Sequence, residues 1–173
     1  MNKRKIKIGI LGGSFDPAHK GHLAISKEAI KRFDLKKIIW AVTKKNPLKA
    51  VSKTPISKRI KDCKKLIGSN DFIKVKFYED IINSNKTIDL VNYLKKNKNL
   101  EIFFIMGADN LINFHKWYKS KSITEKCNIA VFDRHGYKKN SLKSETFKKL
   151  NNKTLTFVKF KKVNISSSQL RRI

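Results

Sequence analysis

Residues 6–23 read IKIGILGGSFDPAHKGHL, an apolar run followed by two glycines, a turn at Pro17 and two histidines. The β-branched residues of IKIGIL predict a strand, and the apolar spacing after Lys20 predicts a helix. Gly12 and Gly13 permit close approach of a ligand to the backbone, and the N–H groups at a helix start attract anions. This stretch therefore predicts a phosphate site between a strand and a helix.

The rest of the chain repeats the alternation of strand and helix, which predicts an α/β fold with a mostly parallel sheet covered by helices. We take residues 1–173 as one domain, since this length suits a single core. The predicted strands are residues 5–11, 37–43, 73–78, 101–106, 128–133 and 154–160. The predicted helices are residues 21–33, 55–67, 87–96, 110–117, 141–150 and one beginning at Ser167.

Ligands of such sheets bind beyond the carboxyl ends of the strands, so functional residues are expected in the segments that follow each strand. The unusual residues of the chain fall in such segments, which are residues 12–22, 43–49, 107–109, 133–136 and 164–168. The lysine-rich stretches at residues 44–53 and 137–149 predict exposed loops or solvated helix faces.

The formal charge of +28, from 41 Lys and Arg against 13 Asp and Glu, is the strongest compositional signal. The lysines are spread through nearly every segment, which indicates a compositional bias and no specific nucleic-acid partner, although nonspecific adhesion is expected at low salt. No apolar run is long enough to span a membrane, and no export signal is visible. Cys63 and Cys127 have neither zinc-site nor disulfide spacing, which favours the reducing cytoplasm.

Two patterns at opposite ends of the chain resemble signatures of one superfamily. His19 and His22 lie three residues apart, so both imidazoles can project from one face of a helix start toward phosphoryl oxygens. Alone, they would be incidental surface histidines beside a capped turn. The sequence GSFDPAHKGH at residues 13–22 resembles the H-x-G-H signature of the nucleotidyltransferase superfamily, and ISSSQLR at residues 165–171 resembles its I-S-S-T-x-x-R signature.

Further stretches between these signatures resemble bacterial nicotinate-nucleotide adenylyltransferases, so that the resemblance covers essentially the whole chain. They are FIMGADNL at 104–111, Trp117, IAVFDRHG at 129–136, NPLK at 46–49 and TIDL at 87–90. The resemblance implies a Rossmann-like, three-layer, doubly wound fold. It also implies transfer of AMP from ATP to nicotinate mononucleotide, giving deamido-NAD and pyrophosphate, with Mg²⁺ carried by ATP and no protein metal ligand.

The same resemblance implies roles for single residues. Stabilisation of phosphoryl charge is expected from His19, His22, Lys49 and Arg171. Contacts with ATP are expected from Gly12, Gly13, Ser14, Phe15, His22, Gly107, Asp109, Ser166, Ser167, Ser168 and Arg171. Contacts with nicotinate mononucleotide are expected from Ser14, Phe15, Lys49, Thr87, Trp117 and Arg134. We expect His22 to lie on the ligand side of the helix start and to carry little core packing.

Several of these residues also have structural interpretations. Asp109 would cap a helix from Asn110, Trp117 would be a core residue, and Arg134 would be a surface charge. Serines 166 to 168 would form a helix N-cap. Arg59 is a weaker match to the family, and we expect His115 and His135 to be structural or exposed. Residues 47–49 are PLK where many members of the family have Pro-His-Lys, so no histidine role transfers to this loop.

Three other functions remain open at this point. A sister adenylyltransferase could use nicotinamide mononucleotide, which differs only at the carboxylate, or phosphopantetheine, against which His19 and Trp117 count. A basic nucleic-acid-binding module would explain the charge and leave both signatures unexplained. Its binding would vanish as salt rises and would not depend on ATP. The sequence is compatible with a monomer or a homo-oligomer.

Overall fold

Six parallel strands form one sheet in the computed structural model, which describes residues 4–46, 50–133, 137–150 and 154–160. The strand order is β3-β2-β1-β4-β5-β6, and all five pairings are parallel. Their bounds are β1 Ile6–Gly13, β2 Lys37–Val42, β3 Ile73–Lys76, β4 Leu100–Gly107, β5 Asn128–Phe132 and β6 Leu155–Val158. All six predicted strands are confirmed, with shifted ends, and the order reverses direction between β1 and β4.

Helices follow the strands on both faces of the sheet. Their bounds are α1 Lys20–Phe33, α2 Ile56–Ile67, α3 Glu79–Ile82, α4 Thr87–Lys95, α5 Ala108–Leu111, α6 Ser120–Lys126, α7 Lys138–Leu142 and α8 Glu145–Leu150, with a 3₁₀ turn at Phe114–Lys116. Over the described ranges, none of these helices combines the length and apolar character that crossing a bilayer requires.

Side-chain alternation along the strands creates two hydrophobic cores. In β2, Ile39 and Ala41 pack into the core on one face, whereas Ile38, Trp40 and Val42 pack into the core on the other. Successive strand residues point to opposite faces, so a strand buried on both sides reads as a continuous apolar run. Helices α4 and α6 cover the first core, and α1 and α2 cover the second. The three-layer, doubly wound fold is thereby confirmed.

Gly9, in the centre of β1, is required by packing. A Cβ atom at this position would lie 2.9 Å from both Ile105 Cδ1 and Ile38 Cγ1, and 3.0 Å from Leu35 Cδ1. Such separations are shorter than van der Waals contact, so a larger residue would push the neighbouring strands or the chain before β2 outward. Gly9 therefore serves the core, unlike the glycines at the end of the same strand.

The predicted helix at residues 110–117 is wrong, because the chain forms the short α5 and then the 3₁₀ turn. The backbone N–H of His115 donates to Thr146 Oγ1 (3.0 Å) instead of continuing an α-helical ladder. Trp117 N then donates to Phe114 O over three residues. A side chain 31 positions away along the chain thus interrupts the helix, which no local pattern could indicate.

The predicted helix at residues 141–150 is divided into α7 and α8 at Ser144. Ser144 Oγ accepts a hydrogen bond from Phe147 N (3.1 Å), as an N-cap does, and donates to Ser141 O (2.6 Å). Ser141, Ser144 and Thr146 are buried, so the expectation of a solvated face is wrong at these positions. The sequence pattern did not indicate α3 or α6. The helix predicted from Ser167 lies outside the described residues.

Candidate active site

A cavity of about 310 Å³ opens at the carboxyl ends of β1, β2 and β4, where the strand order reverses. In sheets of this kind this position is where ligands bind. The cavity is lined by residues from the ends of β1 and β2, from the β2 exit loop, which comprises residues 43–46, and from the start of α4. Among the predicted site residues, Gly12, Gly13, Thr87 and Trp117 line it.

The chain leaves β1 through the β1 exit loop, residues 14–19, in an uncommon conformation. Phe15 has a φ of 48°, a value that bulky residues seldom adopt, and the Asp16–Pro17 peptide is cis. Burial holds Phe15 in place, because the residue as a whole is 1% exposed and its ring stacks on Trp40 with centroids 5.0 Å apart. The Phe15 ring is therefore not open to a ligand.

The two histidines of the predicted phosphate site cap α1. His19 is the N-cap residue, and its Nδ1 accepts from Gly21 N (3.1 Å). His22 Nδ1 accepts from His19 N at the same distance, so the two side chains form a reciprocal capping box. Because both Nδ1 atoms accept hydrogen bonds, each neutral ring carries its proton on Nε2. Both Nε2 atoms are therefore hydrogen-bond donors.

The expectation that His22 carries little core packing is wrong. Its ring is half-buried, with its centroid 3.9 Å from that of His19, 4.7 Å from that of Phe15 and 5.8 Å from that of Trp40. Ser26 Oγ donates to His22 O (2.8 Å) and accepts from Trp40 Nε1 (2.9 Å). The contacts with Phe15 and Trp40 thus fix the orientation of the histidine rings.

Gly12 lines the cavity, and the packing of the protein around it would also accommodate a residue with a Cβ atom. A Cβ atom at Gly12 would have an ordinary contact with Phe104 Cζ at 3.6 Å. Gly12 is exposed, in contrast to the interior Gly9. The absence of a side chain here therefore leaves space in the cavity, as a phosphate that approaches the backbone would require.

The far wall of the cavity carries Thr87 and Trp117. Thr87 is the first residue of α4, and Trp117 follows the 3₁₀ turn. The Trp117 ring has edge contacts with Phe104 and Phe114, at centroid separations of 5.9 and 5.1 Å. Among the described residues, Trp117 Nε1 and Thr43 Oγ1 are buried without a hydrogen-bond partner. An unsatisfied buried polar group costs about 1–3 kcal/mol, so these atoms favour a polar ligand in the cavity.

Gly107 and Asp109 lie together at the end of β4. Gly107 is the last strand residue and the N-cap of α5, and Asp109 is the second residue of that helix. The interpretation of Asp109 as the cap of a helix from Asn110 is therefore wrong. Asp109 is half-buried beside the cavity, whose lining includes the next residue, Asn110.

Arg59 and His115 have structural partners. Arg59 is 3% exposed and donates to four backbone carbonyl groups, so its guanidinium stabilises loops. His115 is bonded to Thr146 through both its N–H and its Nδ1, as expected for a structural histidine. The remaining predicted site residues lie outside the described residues and stay predictions; they are Lys49, Arg134, Ser166, Ser167, Ser168 and Arg171.

Positive charge dominates the cavity. Lys45, Lys86 and Lys116 line it together with the carboxylate of Glu79. Burial raises the pKa of Glu79, while the hydrogen bond from the Lys44 backbone and the charges of Lys44 and Arg59 oppose that shift. This balance of charge suits an anionic ligand. Nothing in the sequence pattern indicated Glu79, because its partner Lys44 lies 35 positions away.

Comparisons with known proteins identify the family of the chain. Residues 10–173 match the family model described as cytidylyltransferase-like. A Pelagibacter ubique protein named "probable nicotinate-nucleotide adenylyltransferase" is 68% identical over 100% of this chain and 96% of its own length. An Agrobacterium fabrum protein of the same name is 40% identical over 75% of this chain and 70% of its own length.

Solved structures share the fold. The structure of Plasmodium falciparum nicotinic acid mononucleotide adenylyltransferase complexed with NaAD superimposes with a TM-score of 0.79. It covers 96% of this chain and 83% of that protein at 20% identity. The same enzyme complexed with APC gives a TM-score of 0.78, at 21% identity and the same coverage.

Proposed function

The chain belongs to the nicotinate-nucleotide adenylyltransferase family, within the cytidylyltransferase-like proteins, and on that premise we propose how it transfers AMP from ATP to nicotinate mononucleotide. The products are deamido-NAD and pyrophosphate. A phosphate oxygen of the mononucleotide attacks the α-phosphorus of ATP in line, and the bond from that phosphorus to the bridging oxygen breaks. No covalent enzyme intermediate is needed, so the protein positions the two substrates and stabilises charge.

One observation carries the proposal most directly: a single cavity is lined both by the glycine pair at the end of β1 and by Thr87 and Trp117. The glycine pair, with the start of α1 outside the cavity lining, would form the phosphate side, and Thr87 with Trp117 would form the side suited to a flat pyridine ring. A reaction that joins two nucleotides through their phosphates requires both sides in one cavity.

The histidines would act on the phosphates as hydrogen-bond donors. The capping box directs the proton of each neutral ring to Nε2, so His19 and His22 can donate to phosphoryl oxygens without first gaining a proton. The backbone N–H groups at the start of α1 add further donors. Lys49 and Arg171 would supply positive charge, and Asp109 would accept from ribose hydroxyls.

The acceptor side would be recognised by stacking and by charge. Trp117 would stack on the pyridine ring, while Thr87 at the start of α4 and the backbone near Arg134 would bind the pyridine carboxylate. Ser14 and the backbone of Phe15 would contact both substrates. Positive charge from the lysines of the cavity favours the pyridine carboxylate of nicotinate mononucleotide over the amide of nicotinamide mononucleotide.

We propose that Mg²⁺ enters with ATP. The described residues contain no group of three or more His, Cys, Asp or Glu side chains placed to hold a metal ion. Mg²⁺ commonly binds through substrate phosphates and retained waters, which this cavity allows. When bound, the ion neutralises phosphate charge. We propose the cytoplasm as the compartment, since Cys63 and Cys127 are free thiols.

Pyrophosphate release with ATP and Mg²⁺ tests the proposal when nicotinate mononucleotide, nicotinamide mononucleotide and phosphopantetheine are compared as acceptors. We expect a clear preference for nicotinate mononucleotide. Preference for another acceptor would support adenylyl transfer but contradict nicotinate mononucleotide as the substrate. No pyrophosphate release with any acceptor would refute the function. Binding that depends on salt but not on ATP would favour a nucleic-acid-binding module.

A further inference from the structure

The hydrogen bonds of Arg59 connect three separate segments of the chain. Its Nε donates to Thr54 O (3.0 Å), before α2. Its Nη1 donates both to Ser14 O and to Thr43 O, each at 2.7 Å. Its Nη2 donates to Lys44 O (3.3 Å). A guanidinium has five N–H donors, so four of them are directed at carbonyl groups.

These bonds continue the contact between β1 and β2 beyond the sheet. The last ladder bond between the two strands runs from Thr43 N to Gly13 O (2.9 Å). Beyond the end of β1, a side chain takes over from the neighbouring strand as the hydrogen-bond donor. Arg59 Nη1 donates to the carbonyl groups of both Ser14 and Thr43. The β1 exit loop and the β2 exit loop therefore bind the same nitrogen, which has one N–H group for each carbonyl.

Glu79 holds the same backbone from the opposite side. The N–H of Lys44 donates to the Glu79 carboxylate, whose two oxygens both lie 3.2 Å from the nitrogen. The carbonyl groups of residues 43 and 44 thus accept from the Arg59 guanidinium, while the N–H of Lys44 donates to the Glu79 carboxylate. Such charge-assisted hydrogen bonds are stronger than neutral ones. Asp80 also contacts Lys44, but through an exposed ion pair with its Nζ at 2.7 Å.

We infer that Arg59 and Glu79 form a clamp that fixes the β2 exit loop against the β1 exit loop, and that both are positioning residues for AMP transfer. The inference rests on the proposed function, because the β2 exit loop lines the cavity in which the substrates would meet and the β1 exit loop directly follows Gly13, which also lines it. A displacement of about 1 Å at a reacting group can cost on the order of 100-fold in rate, so the clamp contributes through geometry.

Steady-state kinetics with ATP and nicotinate mononucleotide test the clamp, at a temperature well below the unfolding midpoint of every variant. We expect Arg59→Lys to lower kcat by about 10- to 100-fold with a smaller change in KM, because an ammonium cannot reach carbonyl groups on three segments. Glu79→Ala should also lower kcat, and Glu79→Gln should restore part of it because the amide oxygen still accepts from Lys44 N.

Two neighbouring charges provide matched controls. Lys58→Met removes an exposed ion pair with Asp62 on the same helix as Arg59, and Asp80→Asn removes the exposed pair with Lys44 Nζ. Both controls should retain wild-type kcat. Equal losses in clamp and control variants would overturn the inference, as would wild-type kcat in Arg59→Lys.

Amide hydrogen exchange of Lys44 tests the clamp without any turnover. Exchange should be faster in Glu79→Ala than in the wild-type protein and unchanged in Asp80→Asn. Unchanged exchange in Glu79→Ala would overturn the clamp. If the wild-type protein is inactive but shows the expected exchange pattern, the clamp is supported. The proposed function and the role of Arg59 and Glu79 in turnover are then refuted. If Arg59→Lys fails to fold, the Glu79 variants still decide the outcome.

Discussion

The two sides of the proposed site, the histidine cap of α1 and the part of the cavity with Thr87 and Trp117, are built in different ways. On the phosphate side, the hydrogen bonds of His19 and His22 join residues two, three or four positions apart. On the opposite side, Thr146 reaches His115 over 31 positions and Glu79 reaches Lys44 over 35. The cap of α1 can therefore form with its own helix. The packing of His22 on Trp40, the Arg59 bond to Ser14 and the pyridine side form only when distant segments have packed, with the loop-closure entropy that this requires.

The largest effect is expected from breaking the phosphate side. His22→Ala should lower turnover by at least about 100-fold, because a donor to the phosphates is lost. Loss of the cap should cost about 1 kcal/mol of stability, and loss of the ring contacts with Phe15 and Trp40 should add about 1–2 kcal/mol. Pyrophosphate release and circular dichroism measure both quantities, with the exposed Lys27→Ala on the same helix as control. Near-normal turnover would contradict the assigned role.

Two glycines of β1 sharpen the contrast between core and site. Gly9→Ala should destabilise the protein by about 1–3 kcal/mol, since its Cβ would lie 2.9 Å from two core side chains. Gly12→Ala should leave stability nearly unchanged and lower kcat/KM for ATP by about tenfold. Urea unfolding and ATP kinetics separate the two effects. A stability loss in Gly12→Ala equal to that of Gly9→Ala would contradict this distinction.

Trp117 tests the pyridine side directly. Trp117→Ala should raise KM for nicotinate mononucleotide by about tenfold and leave KM for ATP nearly unchanged, because aromatic stacking would be lost from the acceptor only. Trp117→Phe retains a ring and should be affected less. Equal changes in both KM values would indicate instead that Trp117 is a core residue supporting the whole cavity.

Thr146 tests how far remote contacts support that side. Thr146→Val should lower the free energy of unfolding by about 1–3 kcal/mol, because the N–H of His115 would lose its acceptor. Thr156→Val on β6, where the threonine is exposed, is the matched control. Urea unfolding should show a lower free energy of unfolding for Thr146→Val than for Thr156→Val. If the two variants are equally stable, the contact between α8 and the 3₁₀ turn contributes nothing to stability.

The smallest effect is expected from the cysteines, one in each core. Burial raises the pKa of both Cys63 and Cys127 to about 12. Both thiols should therefore stay protonated at pH 8 and resist iodoacetamide in the folded protein, and both should react after unfolding in guanidinium. Mass spectrometry of the alkylated protein checks this, and rapid labelling of one thiol would show that its core opens locally.

Much of the fold could be predicted because its signals are periodic or local. Apolar runs such as IIWAV in β2 indicated all six strands, and the GGSFDPAHKGHL stretch indicated the turn between β1 and α1. The phosphate role of that turn stays a prediction. The break before Trp117 could not be predicted, because it depends on the Thr146 hydroxyl. For the same reason the packing of His22 against Phe15 and Trp40 was not foreseen.

Amino-acid order alone decides the strand and helix alternation, the capping of α1 by its histidines and the family of the chain. These features depend on neighbours within about one helical turn or on alternation along a strand. Only the assembled fold decides that Arg59 binds loop carbonyl groups, that Glu79 holds Lys44, and that Trp117 lines the same cavity as Gly12. Those contacts join segments that are close only after the parallel strands have paired, so no local pattern encodes them.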